Sequence, residues 1–301
     1  MFKVNTDGTG FSVLHSFTDR SPIAPYSNID GAFPVGALVL YGGTLYGTTY
    51  FGGNWGNGSV FQVNSDGTGF TSLYSFSALA TSPPYGNFDG AFPNAGLIIS
   101  NNSLYGTASA GGLWNNGTVF NVNTDGAGFS TIHSFSALNT NNANGDGAEP
   151  LAVLTLSGST LYGTAFHGGA AGIGTVFRVN TDGTAFASLR GLSGNDGALP
   201  ETGLILANNI LYGTGSFGGG GLNGTVFSFS LTPELSMLWI PAGPHIRLLW
   251  STNAIGYNLQ SSPILFSTTW TNVSPTPVIA NGQNAVTKSV LGPQLFYRLS
   301  Q

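Results

Sequence analysis

Short runs of alternating apolar and polar residues, each closed by Gly, Asn or Asp, fill the first 231 positions of the chain. From Gly36 to Phe76 the order is Gly-Ala-Leu-Val-Leu, a Gly42-Gly43 turn, Thr-Leu-Tyr-Gly-Thr-Thr-Tyr, a Gly/Asn-rich loop through Gly58, Ser-Val-Phe-Gln-Val-Asn, an Asp66-Gly67 turn and Phe-Thr-Ser-Leu-Tyr-Ser-Phe. This predicts four antiparallel strands. β-Branched and aromatic residues fit a pleated, half-buried surface, and Gly or Asn accept the positive φ of mirror-image hairpin turns. No segment carries helical periodicity.

The same sentence recurs. Phe2-Lys-Val-Asn-Thr-Asp-Gly8 returns at Phe61, Phe120 and Phe177, offset by 59, 59 and 57 residues. Leu-Tyr-Gly-Thr recurs at Leu45, Leu104, Leu161 and Leu211, and the Asp-Gly pair at Asp30 has partners at Asp89, Asp146 and Asp196. Such units bury their apolar faces only when stacked. The fold class expected is therefore all-β: a β-propeller of about four four-stranded blades, with a partial fifth blade as the alternative. Leu45, Leu104, Leu161 and Leu211, with Val60, Val119, Val176 and Val226, are the expected inward positions, and Tyr46, Tyr105, Tyr162 and Tyr212 the expected packing tyrosines. The chain begins inside a unit, and the unit from Gly203 to Leu231 lacks a fourth strand. The segment from Phe11 to Phe17 is thus expected to complete the last unit and close the ring, although a fragment of a longer array would begin in the same way.

After Leu231 the repeats stop. Residues 1–232 form the expected propeller, and 233–301 a small β-sandwich of fibronectin type III or immunoglobulin-like architecture. Its strands are expected at Ile246–Trp250, Tyr257–Gln260, Trp270–Val273, Asn284–Thr287 and Leu295–Leu299, around Trp250 and Trp270.

Leu-Tyr-Gly-Thr, Gly-Gly…Gly-Thr-Val-Phe and Val-Asn-Thr-Asp-Gly-Thr-Gly-Phe, in that order over about residues 1 to 231, resemble the bacterial GloVer tandem-repeat family. Its members are secreted or surface-anchored through varied C-terminal anchors. The resemblance implies an extracellular or cell-surface propeller and supplies no catalytic residue. The C-terminal segment similarly resembles the small sandwich that ends many such secreted proteins. The chain as given shows neither a signal segment nor a recognisable anchor.

Composition narrows the chemistry. Charged residues are 6% of the chain and cysteine is absent, which removes disulfides, thiolate metal sites and cysteine nucleophiles. No apolar run is long enough for a membrane span. Twelve acids against Lys3, Arg20, Arg178 and Arg190 put the repeats at −8, and Arg247, Lys288 and Arg298 put the remainder at +3. Nucleic acid is not an expected partner, because phosphate binding needs a basic face.

Asp7, Asp66, Asp125 and Asp182 each precede Gly, the signature of a tight turn. Calcium, which wants about six to eight oxygens, is poorly served by one Asp and one Asn per loop; no cofactor is expected, with calcium as the single metal alternative. Asp30, Asp89, Asp146 and Asp196 lie just before the innermost strands, where they form either a repeated turn or a ring holding an axial cation or ligand. His15 and His133 share an outer-strand position with Tyr74 and Arg190, which is read as tolerant surface. No His-Glu-x-x-His, Gly-x-Ser-x-Gly or phosphate loop is present.

Aromatic recognition remains. Trp55 and Trp114 occupy equivalent loops of neighbouring units, flanked by Asn54, Asn57, Asn115 and Asn116. Either they pack within their loops, or the rings stack on a sugar or partner while the amides bond hydroxyls. The leading expectation is a non-enzymatic extracytoplasmic or cell-surface module for binding or display, with a polysaccharide or cell-surface protein as partner. The alternatives are a propeller-based glycan lyase or hydrolase, for which a non-repeated carboxylate pair is missing, and a structural spacer.

Overall fold

The computed structural model describes residues 1–231, 233, 235–241, 243–251, 257–280, 283–290 and 294–300. Thr232, at the expected boundary, and Glu234 lie outside the described residues. The described chain is all-β, without a helix, and divides into two compact units. One comprises Met1–Leu206 with Tyr212–Ser228, and the other Ala207–Leu211 with Phe229–Gln301.

The first unit opens with a two-stranded hairpin, β1 (Phe2–Lys3) and β2 (Ser12–Val13). Three four-stranded antiparallel sheets follow in simple sequence order. They are β3 (Val39–Tyr41), β4 (Thr44–Thr49), β5 (Ser59–Asn64) and β6 (Thr71–Ser75); β7 (Ile98–Ser100), β8 (Ser103–Ala108), β9 (Thr118–Asn123) and β10 (Ser130–Ser134); and β11 (Thr155–Ser157), β12 (Thr160–Ala165), β13 (Thr175–Asn180) and β14 (Ala187–Gly191). A fourth sheet has three strands, β15 (Ile205–Ala207), β16 (Ile210–Gly215) and β17 (Thr225–Ser230). The first hairpins turn at Gly42-Gly43, Asn101-Asn102 and Asn208-Asn209, all at positive φ as such turns demand.

Successive sheets stack. The trailing face of the first sheet brings Tyr46, Val60 and Phe76 against Leu97, Leu104, Ala108, Phe120 and Val122 on the leading face of the second. Tyr105, Val119 and Phe135 meet Leu154, Leu161, Ala165, Phe177 and Val179 in the same way. Each contact centres on three phenylalanines. Phe76 meets Phe120 edge-on at 5.2 Å while Phe129 lies parallel to Phe120 at 5.7 Å, and Phe135, Phe177 and Phe186 repeat the set. The glycine of Leu-Tyr-Gly-Thr makes room for this ring. A Cβ on Gly106 would sit 2.7 Å from Phe120 Cζ and 2.8 Å from Leu97 Cδ2, closer than real Cβ contacts come.

Two expectations about the last sheet are corrected. The Phe11–Phe17 segment does not join it: Ser12 and Val13 pair with Lys3 and Phe2, and the last sheet keeps three strands. The Asp7-Gly8 turn favours the local hairpin. Phe17 then packs on Phe61 at 5.5 Å and His15 stacks on Phe70 at 3.7 Å, the contact that Phe76 and Tyr74, and Phe135 and His133, make with the sheet after theirs. Val226 is 82% exposed, unlike the buried Val60, Val119 and Val176, and Tyr212, expected as a packing tyrosine, is exposed as well.

The second unit contains β18 (Ser236–Ile240), β19 (His245–Ser251), β20 (Asn258–Ser262), β21 (Thr271–Asn272), β22 (Val278–Ala280), β23 (Gln283–Ser289) and β24 (Phe296–Ser300). These form two antiparallel sheets, β18-β19-β23-β22 and β21-β20-β24. Ile246, Leu248, Trp250 and Val286 from one and Leu259 from the other share a single apolar cluster. Trp270 is outside that cluster; it is partly exposed under the Arg298 guanidinium, 4.4 Å from the ring centre.

Candidate functional site

The repeated carboxylates are held by the fourth strand of the unit before them. His15 Nε2 lies 3.0 Å from Asp30 Oδ2, which also accepts the Thr18 amide at 2.9 Å. Tyr74 and Ser77 donate to Asp89 at 2.8 and 2.6 Å, and His133 and Ser136 do the same for Asp146. At Asp196 the partners are Arg190 Nε at 2.8 Å and the Ser193 amide and hydroxyl, both at 2.7 Å. One pattern therefore recurs: a ring or guanidinium, a Thr or Ser three residues on, and the Asp.

A one-residue bulge precedes each reaching side chain in the full sheets. Phe61 pairs with Ser72 but Val60 with Tyr74, leaving Leu73 extra, and Ile132 and Leu189 are extra in the same way. Bulges re-aim side chains. The variety of residues at this position reads as tolerant surface, and that reading is corrected: His15 and His133 both stack on phenylalanine and bond a carboxylate.

Burial raises the Asp30 and Asp146 pKa, but hydrogen bonds from Thr18 and His15, and from His133 and Ser136, outweigh it and leave both below the ordinary carboxylate value. Asp196, opposed by burial yet held by Ser193 and Arg190, falls to about 2. Opposite an accepting carboxylate, an N–H on Nε2 is the form of each His ring that makes these hydrogen bonds. Burial and the Asp89 carboxylate push the Tyr74 hydroxyl up. Among the described residues, no group of three or more His, Asp or Glu side chains is placed to hold a metal. Asp7, Asp66 and Asp182 each accept the amide and hydroxyl of the Thr two residues on, which lowers their pKa; Asp125 accepts the Ala127 amide.

An asparagine two residues before the Asp does a second job. Asn87 donates to Ser77 O and Gly90 O at 3.1 and 2.8 Å and accepts from the Gly90 and Gly112 amides at 2.9 and 3.1 Å. Asn28 and Asn144 make the same four bonds, to Gly53 and Gly169 respectively among others. An amide offers two donors and two principal acceptor directions, so these side chains are fully used. The signal was present as Asn-x-Asp-Gly in three units; Gly194 stands at the position in the fourth.

That bond anchors the Gly-Gly loops, and the loops carry the tryptophans. Trp55 and Trp114 are each 50% exposed. Asn54 is exposed, and its backbone amide donates to Ser75 Oγ at 2.7 Å. Asn57 and Asn116 are latches, each donating to a carbonyl, Ser77 O and Ser136 O, at 2.6 Å. Asn115 accepts the Gly111 amide at 2.9 Å and sits at positive φ. Beside these loops lie two residues that sequence reasoning missed, Tyr26 and Tyr85. Both are exposed, 59 positions apart, with φ of 57° and 59°. Gly56 abuts the Pro25 carbonyl, and Gly86 that of Gly112, so each Pro-Tyr turn runs against its unit's Trp loop.

Residues 1–145 match the family model described as the Gloeobacter/Verrucomicrobia repeat, which supports a repeat family for that part of the chain. No curated protein matches the chain. Among solved structures, TolB from Acinetobacter baumannii is 16% identical over 84% of this chain and 57% of its own, at a TM-score of 0.42. The putative TolB from Agrobacterium tumefaciens is 10% identical over 75% and 65%, at 0.35. A chain of a nidogen/laminin complex is 13% identical over 73% and 70%, at 0.41. These likenesses are loose and transfer no residue or activity to this chain.

Proposed function

We propose that the repeats are propeller-type blades forming a non-catalytic binding module outside the cytoplasm, and that its ligand is a neutral polysaccharide held on the Trp loops. The observation that carries this reading is the pair of half-exposed indoles, Trp55 and Trp114, on loops fixed by Asn28 and Asn87. Tyr26 and Tyr85 support it. The four inter-unit aspartates are engaged in structural hydrogen bonds, which favours binding over acid/base chemistry. The extracytoplasmic setting rests on the family resemblance, and the two C-terminal sheets sharing one cluster support a small sandwich there.

Aromatic anchors carry a disproportionate share of binding energy. On a neutral glycan array, the Trp55→Ala, Trp114→Ala double variant loses the retention shown by the parent, with an unchanged far-ultraviolet spectrum. Equal retention by both proteins would favour the spacer reading instead.

A further inference from the structure

The residue after each Asp-Gly-Ala repeats one backbone with four different side chains. Phe33, Phe92, Glu149 and Leu199 have φ of 57°, 58°, 55° and 51°. Their carbonyls accept the amides of Tyr50, Ser109, Phe166 and Ser216 at 3.0, 3.2, 3.1 and 3.3 Å. The alanine before each is bridged to Phe51, Ala110, His167 or Phe217 in turn.

At the first of these places the space is filled. Phe51 lies edge-on to Phe33 at 5.7 Å and to Phe92 of the next lead at 5.5 Å. The Arg20 guanidinium lies over Phe51 and Phe33, 4.9 and 5.3 Å from their ring centres, and has no carboxylate partner among the described residues. A cation is thus already held on ring faces here.

At the second place the ring is missing. Ala110 stands where Phe51 does, while Phe92, partly exposed, keeps the place of Phe33. The lead that follows is in the same register. A Cβ on Gly58 would meet Tyr50 O at 3.0 Å and Pro93 Cδ at 2.6 Å, and one on Gly117 would meet Ser109 O at 3.1 Å and Pro150 Cδ at 2.6 Å. Glu149 therefore stands beside Ala110 as Phe92 stands beside Phe51. Its partly exposed carboxylate is 3.9 Å from His167 Nε2, too far for a hydrogen bond, and neither side chain makes one among the described residues.

We propose that the space beside Ala110 binds an organic ammonium ion carrying an apolar ring. The ring takes the place that Phe51 fills in the first unit, against Phe92, and the ammonium donates to Glu149. A neutral His167 has an acceptor nitrogen for a second N–H. The acid excess of the repeats, −8, favours a cation over an anion.

Titration followed by saturation-transfer NMR, with benzylammonium as the probe, tests this at neutral pH. The parent binds benzylammonium in preference to benzyl alcohol and benzoate, which share the ring and lack the positive charge. Glu149→Gln weakens benzylammonium by about tenfold, the scale of one charge-assisted hydrogen bond. Ala110→Phe abolishes binding, because the protein's own ring then occupies the site. That substitution copies the residue of the first unit, so the fold is retained, as thermal melting will verify; Ala110→Leu serves if it is not. A parent that does not bind benzylammonium, equal binding of benzyl alcohol, or unchanged binding in either variant would overturn the proposal.

Discussion

Gly106 shows how much of the inter-sheet contact depends on a missing side chain. Its Leu-Tyr-Gly-Thr motif is plain in the sequence, but the reason for the glycine is not, because the ring it accommodates lies on β9 and the leucine on the lead into β7. Gly106→Ala overpacks a close-packed site and should cost about 1–3 kcal/mol in chemical denaturation. Leu104→Ala leaves a cavity where Leu104 is wholly buried, and a loss of about 2–5 kcal/mol is expected. The aspartates give a pH signature. Asp196 has a folded pKa of about 2, below its unfolded value, so its contribution is complete above the unfolded pKa and is lost as pH falls toward 2. Melting curves of the parent and Asp196→Asn should differ at neutral pH and converge as the acid limit is reached.

Strands and turns were legible wherever alternation held. The hairpins of the three full sheets follow from Gly, Asn and Asp placement, and five C-terminal strands fall where alternating residues place them. Elsewhere the expectations failed for physical reasons. Bulges at Leu73, Ile132 and Leu189 shift the side-chain phase, so the reach of His133 and Tyr74 to a carboxylate is hidden. The strand Ser236–Ile240 is missed because Met237, Leu238 and Trp239 are all exposed and show no buried face. Edge pairing of the Phe11 segment lost to a local turn. Amide exchange can grade the sheets: β17, the edge strand of a three-stranded sheet, should exchange well ahead of β9, which is paired on both sides, and equal protection would contradict that arrangement.

The repeat organisation of the first unit was readable from three in-register phrases; the state of its ends was not, because identical motifs recur whether or not a neighbour covers them. The candidate site was half legible. Trp55 and Trp114 announce themselves by composition, whereas the positive φ of Tyr26 and Tyr85 is a backbone feature that the residue names do not reveal. The carboxylate ties carry a consequence for how the chain acquires its structure. His15 to Asp30, Tyr74 to Asp89, His133 to Asp146 and Arg190 to Asp196 span 15, 15, 13 and 6 residues, although each joins one sheet to the lead of the next. Short spans make loop closure inexpensive in entropy, and local contacts speed folding. Each lead is therefore tied to the sheet before it through a short loop, an arrangement that favours unit-by-unit assembly over one that waits for distant partners.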